Sequence, residues 1–308
     1  MNATDNDHIV WLDEPACQNL LLAGGKAANL SRLAATYPVP PGFCLTTAAF
    51  EAAATAGFAV AEKRTASKSF PPALHDKLVE AYRVLADRCG LAEPSLAVRS
   101  SAVDEDGLTA SFAGQHETFL NVIGVEAVTG AVQRCWASAQ SSRALAYRRQ
   151  HGQKLDEAWL AVLVQQLIIA DVSAVVFSAN PITGNQDELV INASWGLGES
   201  IVGGTVTPDT YLVSKTALTI ISRRISKKRQ MMVTVEGGTQ EVAVPRFLQA
   251  RPALTDSQVV EMAKLALALE AEMGWPVDVE CAYQGDKLYL LQCRPITTLE
   301  SKEDRTGG

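Results

Sequence analysis

The segment Trp275-Pro-Val-Asp278-Val-Glu280-Cys-Ala-Tyr-Gln-Gly285-Asp286-Lys-Leu-Tyr-Leu-Leu-Gln292-Cys-Arg294-Pro constrains this chain most. Apolar, β-branched and aromatic residues over 277–283 and 288–291 favour strands, and Gly285-Asp286 marks a turn between them. A three-residue loop, 285–287, sets Glu280 opposite Gln292 and Asp278 opposite Arg294, so that all four share one face. A two-residue loop slips the register by one and sends Gln292 and Arg294 to the other side. On the three-residue reading, oxygen ligands from Glu280 and Gln292 suit a hard Mg²⁺ that also binds nucleotide phosphates, and Arg294 offers forked donors to a phosphate. The competing reading is an ordinary hairpin with a polar outer face.

Length suggests two domains or subdomains in these 308 residues. With 47% hydrophobic and 20% charged residues, the chain reads as a soluble globular protein. A net charge of −7 argues against general affinity for nucleic acid or anionic lipid, so an anionic ligand must be bound locally. Six scattered cysteines, with no Cys-x-x-Cys and no histidine at zinc spacing, read as reduced and mostly buried thiols. An acidic N-terminus without an apolar core, and no membrane-length apolar run, point to a cytoplasmic protein.

The spacing of apolar residues predicts a strand at 8–12 and a helix over 26–37, stopped by Pro38, Pro40 and Pro41. Further helices are expected over 46–61, 74–89 and 125–150, with a loop at 63–72 and a short strand at 96–99. From residue 160 the pattern turns to strands: 161–168, 173–177, 188–193 and a set between 210 and 235. A capping box, Thr255-Asp-Ser-Gln258, opens a last helix that Gly274 and Pro276 end. The resulting class is α+β, divided into an N-terminal lobe at 1–158, a C-terminal lobe at 159–299 and a polar tail at 300–308. The basic run at 222–229 lacks aromatic residues and reads as a solvated hairpin edge rather than a nucleic-acid site.

Other segments carry candidate chemistry. Gly24-Gly25-Lys26 at a helix start is a natural anion site, although it is neither a Walker A loop nor Gly-x-Gly-x-x-Gly. Its alternative is a turn with a solvated lysine. Arg99 at a strand end leads into a Ser/Gly/Asp-rich stretch reaching Gly114, Gln115, His116 and Thr118, which either clamps a polyphosphate or is a polar surface loop. Gln165 interrupts an apolar strand, and a buried glutamine needs a partner, for which an adenine edge is one choice. Trp195-Gly196-Leu-Gly198-Glu199-Ser200, followed by Gly203-Gly204, either closes over a ligand or simply turns.

In order, Gly-Gly-Lys-Ala-Ala-Asn-Leu30, Val39-Pro-Pro-Gly-Phe-Cys44, Arg99-Ser-Ser-Ala, Ala110-Ser-Phe-Ala-Gly-Gln115, Asn180-Pro, Gly196-Leu-Gly-Glu and Leu291-Gln-Cys-Arg-Pro-Ile-Thr297 resemble the nucleotide-binding domain of the phosphoenolpyruvate synthase, pyruvate phosphate dikinase and rifampin phosphotransferase family. The resemblance spans nearly the whole chain. It implies an ATP-grasp fold of two lobes with the nucleotide between them, and ATP and Mg²⁺ as cofactors. It also implies phosphate contacts from Lys26 and Arg99, a covering loop at Gly114, Gln115 and Thr118, and Gln165 near the adenine. Glu280 and Gln292 would hold the metal, and Arg294, with Lys26 and Arg99, would serve catalysis. Such groups suffice for phosphoryl transfer, which needs mainly positioning and charge neutralisation. Departures from the family pattern are Ala174 for glycine, Cys281 for an aromatic residue and Gly203 for serine. The family passes phosphate through a histidine, and His8, His75, His116 and His151 all lack its Thr-Ser-His-Ala setting. The resemblance therefore implies a phosphohistidine-bearing domain or partner elsewhere, a small-molecule acceptor bound elsewhere, and transfer of the β-phosphoryl group with AMP and phosphate as products. Alternatives are a free-standing ATP-grasp ligase that forms an acylphosphate and ADP, and a non-catalytic ATP-binding subunit.

Overall fold

The computed structural model describes residues 8–56, 70–103, 117–139 and 160–298. The expectations for the N-terminal residues 1–7, the helix beyond 56, the loop at 63–69, the covering loop at 104–116, the helix beyond 139 and the tail at 300–308 lie outside them. The chain divides into two compact units. The first takes Met1–Asp106, Ala110–Leu167 and Thr234–Thr239, and the second Gly107–Thr109, Ile168–Val233 and Gln240–Gly308. The first unit runs through Leu167, because strand β5 (Leu160–Gln166) pairs both β2 (Gly42–Leu45) and β3 (Leu96–Ala102).

Unit 1 is built on an antiparallel sheet of order β1-β2-β5-β3-β4, where β1 is Ile9–Trp11 and β4 is Thr118–Val122. Period-two alternation sends Phe43, Leu45, Val98, Val162 and Val164 to one face. There they meet Phe50 of α2 (Thr47–Thr55), Leu74 and Leu78 of α3 (Pro72–Cys89), and Val132 and Trp136 of α4 (Val125–Ser138). Phe70 stacks on Trp136 at 5.6 Å. Helix α1 (Leu20–Leu33) takes the other face. Its small residues Ala23, Ala27 and Ala28 are fully buried, and Cys44 Sγ on β2 donates to Ala23 O.

Helix α1 begins earlier than expected and breaks at Gly24, whose φ of 72° and ψ of 172° are not helical. Two strands lie where the sequence pattern predicts none. β2 spans four residues behind prolines, and β4 follows a loop-like composition; both exist because neighbouring strands supply their hydrogen bonds.

Unit 2 holds a six-stranded antiparallel sheet, β13-β12-β6-β7-β8-β9. Its strands are β6 (Val172–Phe177), β7 (Glu188–Trp195), β8 (Asp209–Ser214), β9 (Ile220–Arg224), β12 (Val277–Gln284) and β13 (Lys287–Pro295). β10 (Gln230–Val235) and β11 (Gly238–Ala243) pair separately, the latter unforeseen in the sequence. A short α5 (Glu199–Val202) follows β7. The last helix, α6 (Asp256–Met273), carries the expected capping box at Thr255 and Gln258 and ends at Gly274 in the left-handed region. Its buried Val259, Met262, Ala263, Ala266 and Leu269 cover one sheet face, where Tyr283 donates its hydroxyl to Glu261 of the helix. Burial and that carboxylate push the Tyr283 hydroxyl pKa strongly upward.

The basic run forms the exposed edge strand β9, as expected, with Arg223 paired to Asp256. Lys228 is the correction. It is fully buried against Asp209, whose carboxylate also accepts from the backbone of Ser226 and Ala253. A buried lysine requires such a partner.

Candidate functional site

The β12–β13 hairpin keeps the expected pairing by an unexpected route. Glu280 faces Gln292 and Asp278 faces Arg294, but the loop has two residues, because Gln284 pairs Lys287. Gly285 alone has positive φ, 57°, as a type II′ turn places it. The one-residue slip is absorbed by a β-bulge: Cys281 pairs Leu290 while Glu280 pairs Gln292, leaving Leu291 extra. The bulge returns Gln292 and Arg294 to the face of Asp278 and Glu280, away from α6. Without it both would enter the apolar face beside Val279.

Arg294 Nε donates to Asp278 Oδ2 at 2.9 Å, in a partly buried ion pair with the Asp278 side chain 8% exposed. Gln292 is 3% exposed and Glu280 half-buried. Behind Glu280, the Cys281 thiol is pushed up to about 12, by burial first and by the Glu280 charge second, so it is an inert core group. The site expected from the sequence omits Asp278, although its position opposite Arg294 is readable there. Only the packed structure shows that the carboxylate orients the guanidinium.

In unit 1, alternation along β3 turns Arg99 and Ser101 to the α1 side of the sheet. Thr118 on β4 pairs Arg99 and so shares that face. Ser101 Oγ accepts from Ala27 N, next to Lys26, which is 8% exposed. Lys26, Arg99 and Thr118 are therefore carried to one side of one sheet. Gly24 is spent on packing: a Cβ there would lie 2.0 Å from Ser101 O. The glycine serves the approach of α1 to β3, a reason different from the phosphate approach that its motif suggested. Gln165 has its partner inside the protein, since its buried Nε2 donates to Pro40 O at 3.1 Å, and Gly42 leaves room for that contact. Gly114 and Gln115 lie outside the described residues.

The loop after β7 is held as a turn. Gly196 bridges to Met232, Leu197 N donates to Met232 O, and Ser173 Oγ donates to Gly196 O. Asn180 closes its own turn, accepting from Ile182 N and Thr183 N.

Residues 59–307 match the family described as pyruvate phosphate dikinase, AMP/ATP-binding domain. A probable phosphoenolpyruvate synthase of Methanocaldococcus jannaschii is 41% identical over 95% of this chain and 27% of its own length. The phosphoenolpyruvate synthase of Pyrococcus furiosus is 36% identical over 97% of this chain and 44% of its own. A rifampicin phosphotransferase of Streptomyces sviceus is 36% identical over 97% of this chain and 37% of its own. Among solved structures, D-alanyl-alanine synthetase A of Vibrio cholerae aligns over 92% of this chain and 62% of that one, at 14% identity and a TM-score of 0.35, too distant to define a fold. The chain belongs to the pyruvate phosphate dikinase AMP/ATP-binding domain family, and the ATP-grasp class comes with that membership. It spans less than half the length of these curated relatives. Among the described residues no helix is long and apolar enough to cross a membrane.

Proposed function

We propose that this domain binds Mg-ATP and transfers a phosphoryl group, the β-phosphoryl with AMP and phosphate as products, to a histidine outside these 308 residues. The observation that carries this reading is the bulged hairpin, which places Glu280 against Gln292 and tethers Arg294 to Asp278 on the same face. Arg294, oriented by Asp278, is suited to charge developing on a phosphoryl group in transfer. Lys26 and Arg99, with Thr118 beside Arg99, are assigned to the nucleotide phosphates, and Gly114 and Gln115 to the covering loop. Gln165 is assigned to the neighbourhood of the adenine through its strand rather than its amide, which Pro40 already occupies.

The residues fit Mg²⁺. Among the described residues no group of three or more His, Cys, Asp or Glu side chains could hold a metal. Mg²⁺ held by one or two protein oxygens, with water and substrate phosphates completing its shell, needs no such cage. Glu280 and Gln292 would hold it, and it would neutralise phosphate charge.

The test incubates the full chain with Mg-ATP and the histidine-bearing domain of a phosphoenolpyruvate synthase relative, then reads nucleotide products and phosphohistidine. AMP with labelled histidine is expected, with a loss of at least about 100-fold in Arg294→Ala and Glu280→Gln. Retained transfer in both variants would sink the site assignment. ADP with an acylphosphate would favour a ligase, and binding without turnover a non-catalytic ATP-binding subunit. The final small-molecule acceptor belongs, on this reading, to other modules.

A further inference from the structure

Asn192 and Thr210 lie outside every motif assigned above, yet the sheet register sets them in line with the hairpin. One row crosses the sheet: Gln292 pairs Glu280, Glu280 pairs Val175, Val175 pairs Asn192, and Asn192 pairs Thr210. Directly paired residues share a face, so Asn192 stands on the side of the candidate metal pair, opposite α6. At two strand spacings it is about 10 Å from Glu280 across the sheet. Only half-buried Val175 intervenes.

Thr210 Oγ1 donates to Asn192 Oδ1 at 3.0 Å, which turns the acceptor arm of the amide toward β8. The donor arm, Nδ2, makes no hydrogen bond among the described residues. Two residues along the same face, Ser194 Oγ is fully buried and also lacks a partner. Asn192 is half-buried, so its Nδ2 stays accessible to a ligand, whereas Ser194 Oγ is the buried unsatisfied group beside it that calls for an explanation. A fixed amide N–H donates and cannot ligate a cation, so its complement is an acceptor oxygen, and a phosphoryl oxygen meets that need.

We propose that Asn192 is a nucleotide-binding residue whose Nδ2 donates to a phosphoryl oxygen, and that Thr210 is the positioning residue that holds its amide. The proposal rests on the assignment of Mg-ATP to Glu280 and Gln292. A triphosphate is long enough to run from that pair toward Asn192 across the small Val175 side chain.

The test is titration calorimetry of the full chain with Mg²⁺ and β,γ-imido-ATP, with adenosine measured beside it as a control for folding. Asn192→Ala should weaken the triphosphate roughly tenfold and leave adenosine unchanged. Asn192→Asp, equal in shape but anionic, should weaken it further. Thr210→Val should show part of the Asn192→Ala loss, and Thr210→Ser should restore wild-type affinity. An Asn192→Asp variant that binds like wild type, or an Asn192→Ala variant that loses adenosine as strongly as triphosphate, would overturn the proposal. Loss in Arg294→Ala with no change in either Asn192 variant would sink this inference alone. A wild-type chain that binds neither ligand would overturn the ATP reading and this inference with it.

Discussion

Two glycines with positive φ show how differently single residues are constrained. Gly24 combines a backbone region nearly reserved for glycine with contact against Ser101, whereas Gly90 closes α3 in the left-handed region with open space around it. Gly24→Ala should therefore cost roughly 3 kcal/mol or more, and Gly90→Ala about 1 kcal/mol, by urea denaturation. Equal losses would mean that the α1 break adapts. As candidates, Lys26, Arg99, Glu280, Gln292 and Arg294 were legible from a Gly-Gly-Lys helix start, an arginine at a strand end and the hairpin register. Several contacts were not. The contacts Gln165 to Pro40 and Lys228 to Asp209 join segments that no local pattern pairs, whereas Asp278 stands opposite Arg294 in the hairpin register and only their ion pair was unforeseen.

Among the elements, the capping box and the left-handed glycine bounding α6 were readable in advance, since both act within a few residues of the helix end. Thr255→Ala should cost about 1 kcal/mol, as a fall in the urea midpoint. The β12–β13 hairpin shows the opposite case. Its facing pairs were expected, but through a longer loop, and the bulge at Leu291 restores the pairing instead. Deleting Leu291 removes the bulge and moves Gln292 and Arg294 one position nearer the turn. In that variant a two-residue loop alone should keep Glu280 opposite Gln292 and Asp278 opposite Arg294, seen as retained cross-strand NOEs. Loss of those contacts would show that the bulge itself sets the register. β2 and β4 escaped the sequence pattern because a short strand is stabilised by its neighbours more than by its own composition.

Over the whole molecule, burial sets a pH limit. Desolvation pushes the Cys17, Cys281 and Tyr211 groups each up to about 12. An unfolded chain would release those protons nearer pH ~8.5 to 10, so above that range it binds fewer protons than the folded chain and stability falls. The urea midpoint should be steady near neutrality and decline from about pH 9 toward 12; a flat profile would place these groups in water. By itself the sequence determined the α+β class, most helices and strands, the family and the residue types of the candidate site, because periodicity, caps and motif order are local and one-dimensional. Only the tertiary structure decided the break at Gly24, the β5 pairing that sets the main unit boundary, the bulge that aims Gln292 and Arg294, and the row that includes Asn192. Those depend on which distant strands pair and in what register, a choice made by the packing of both sheet faces together.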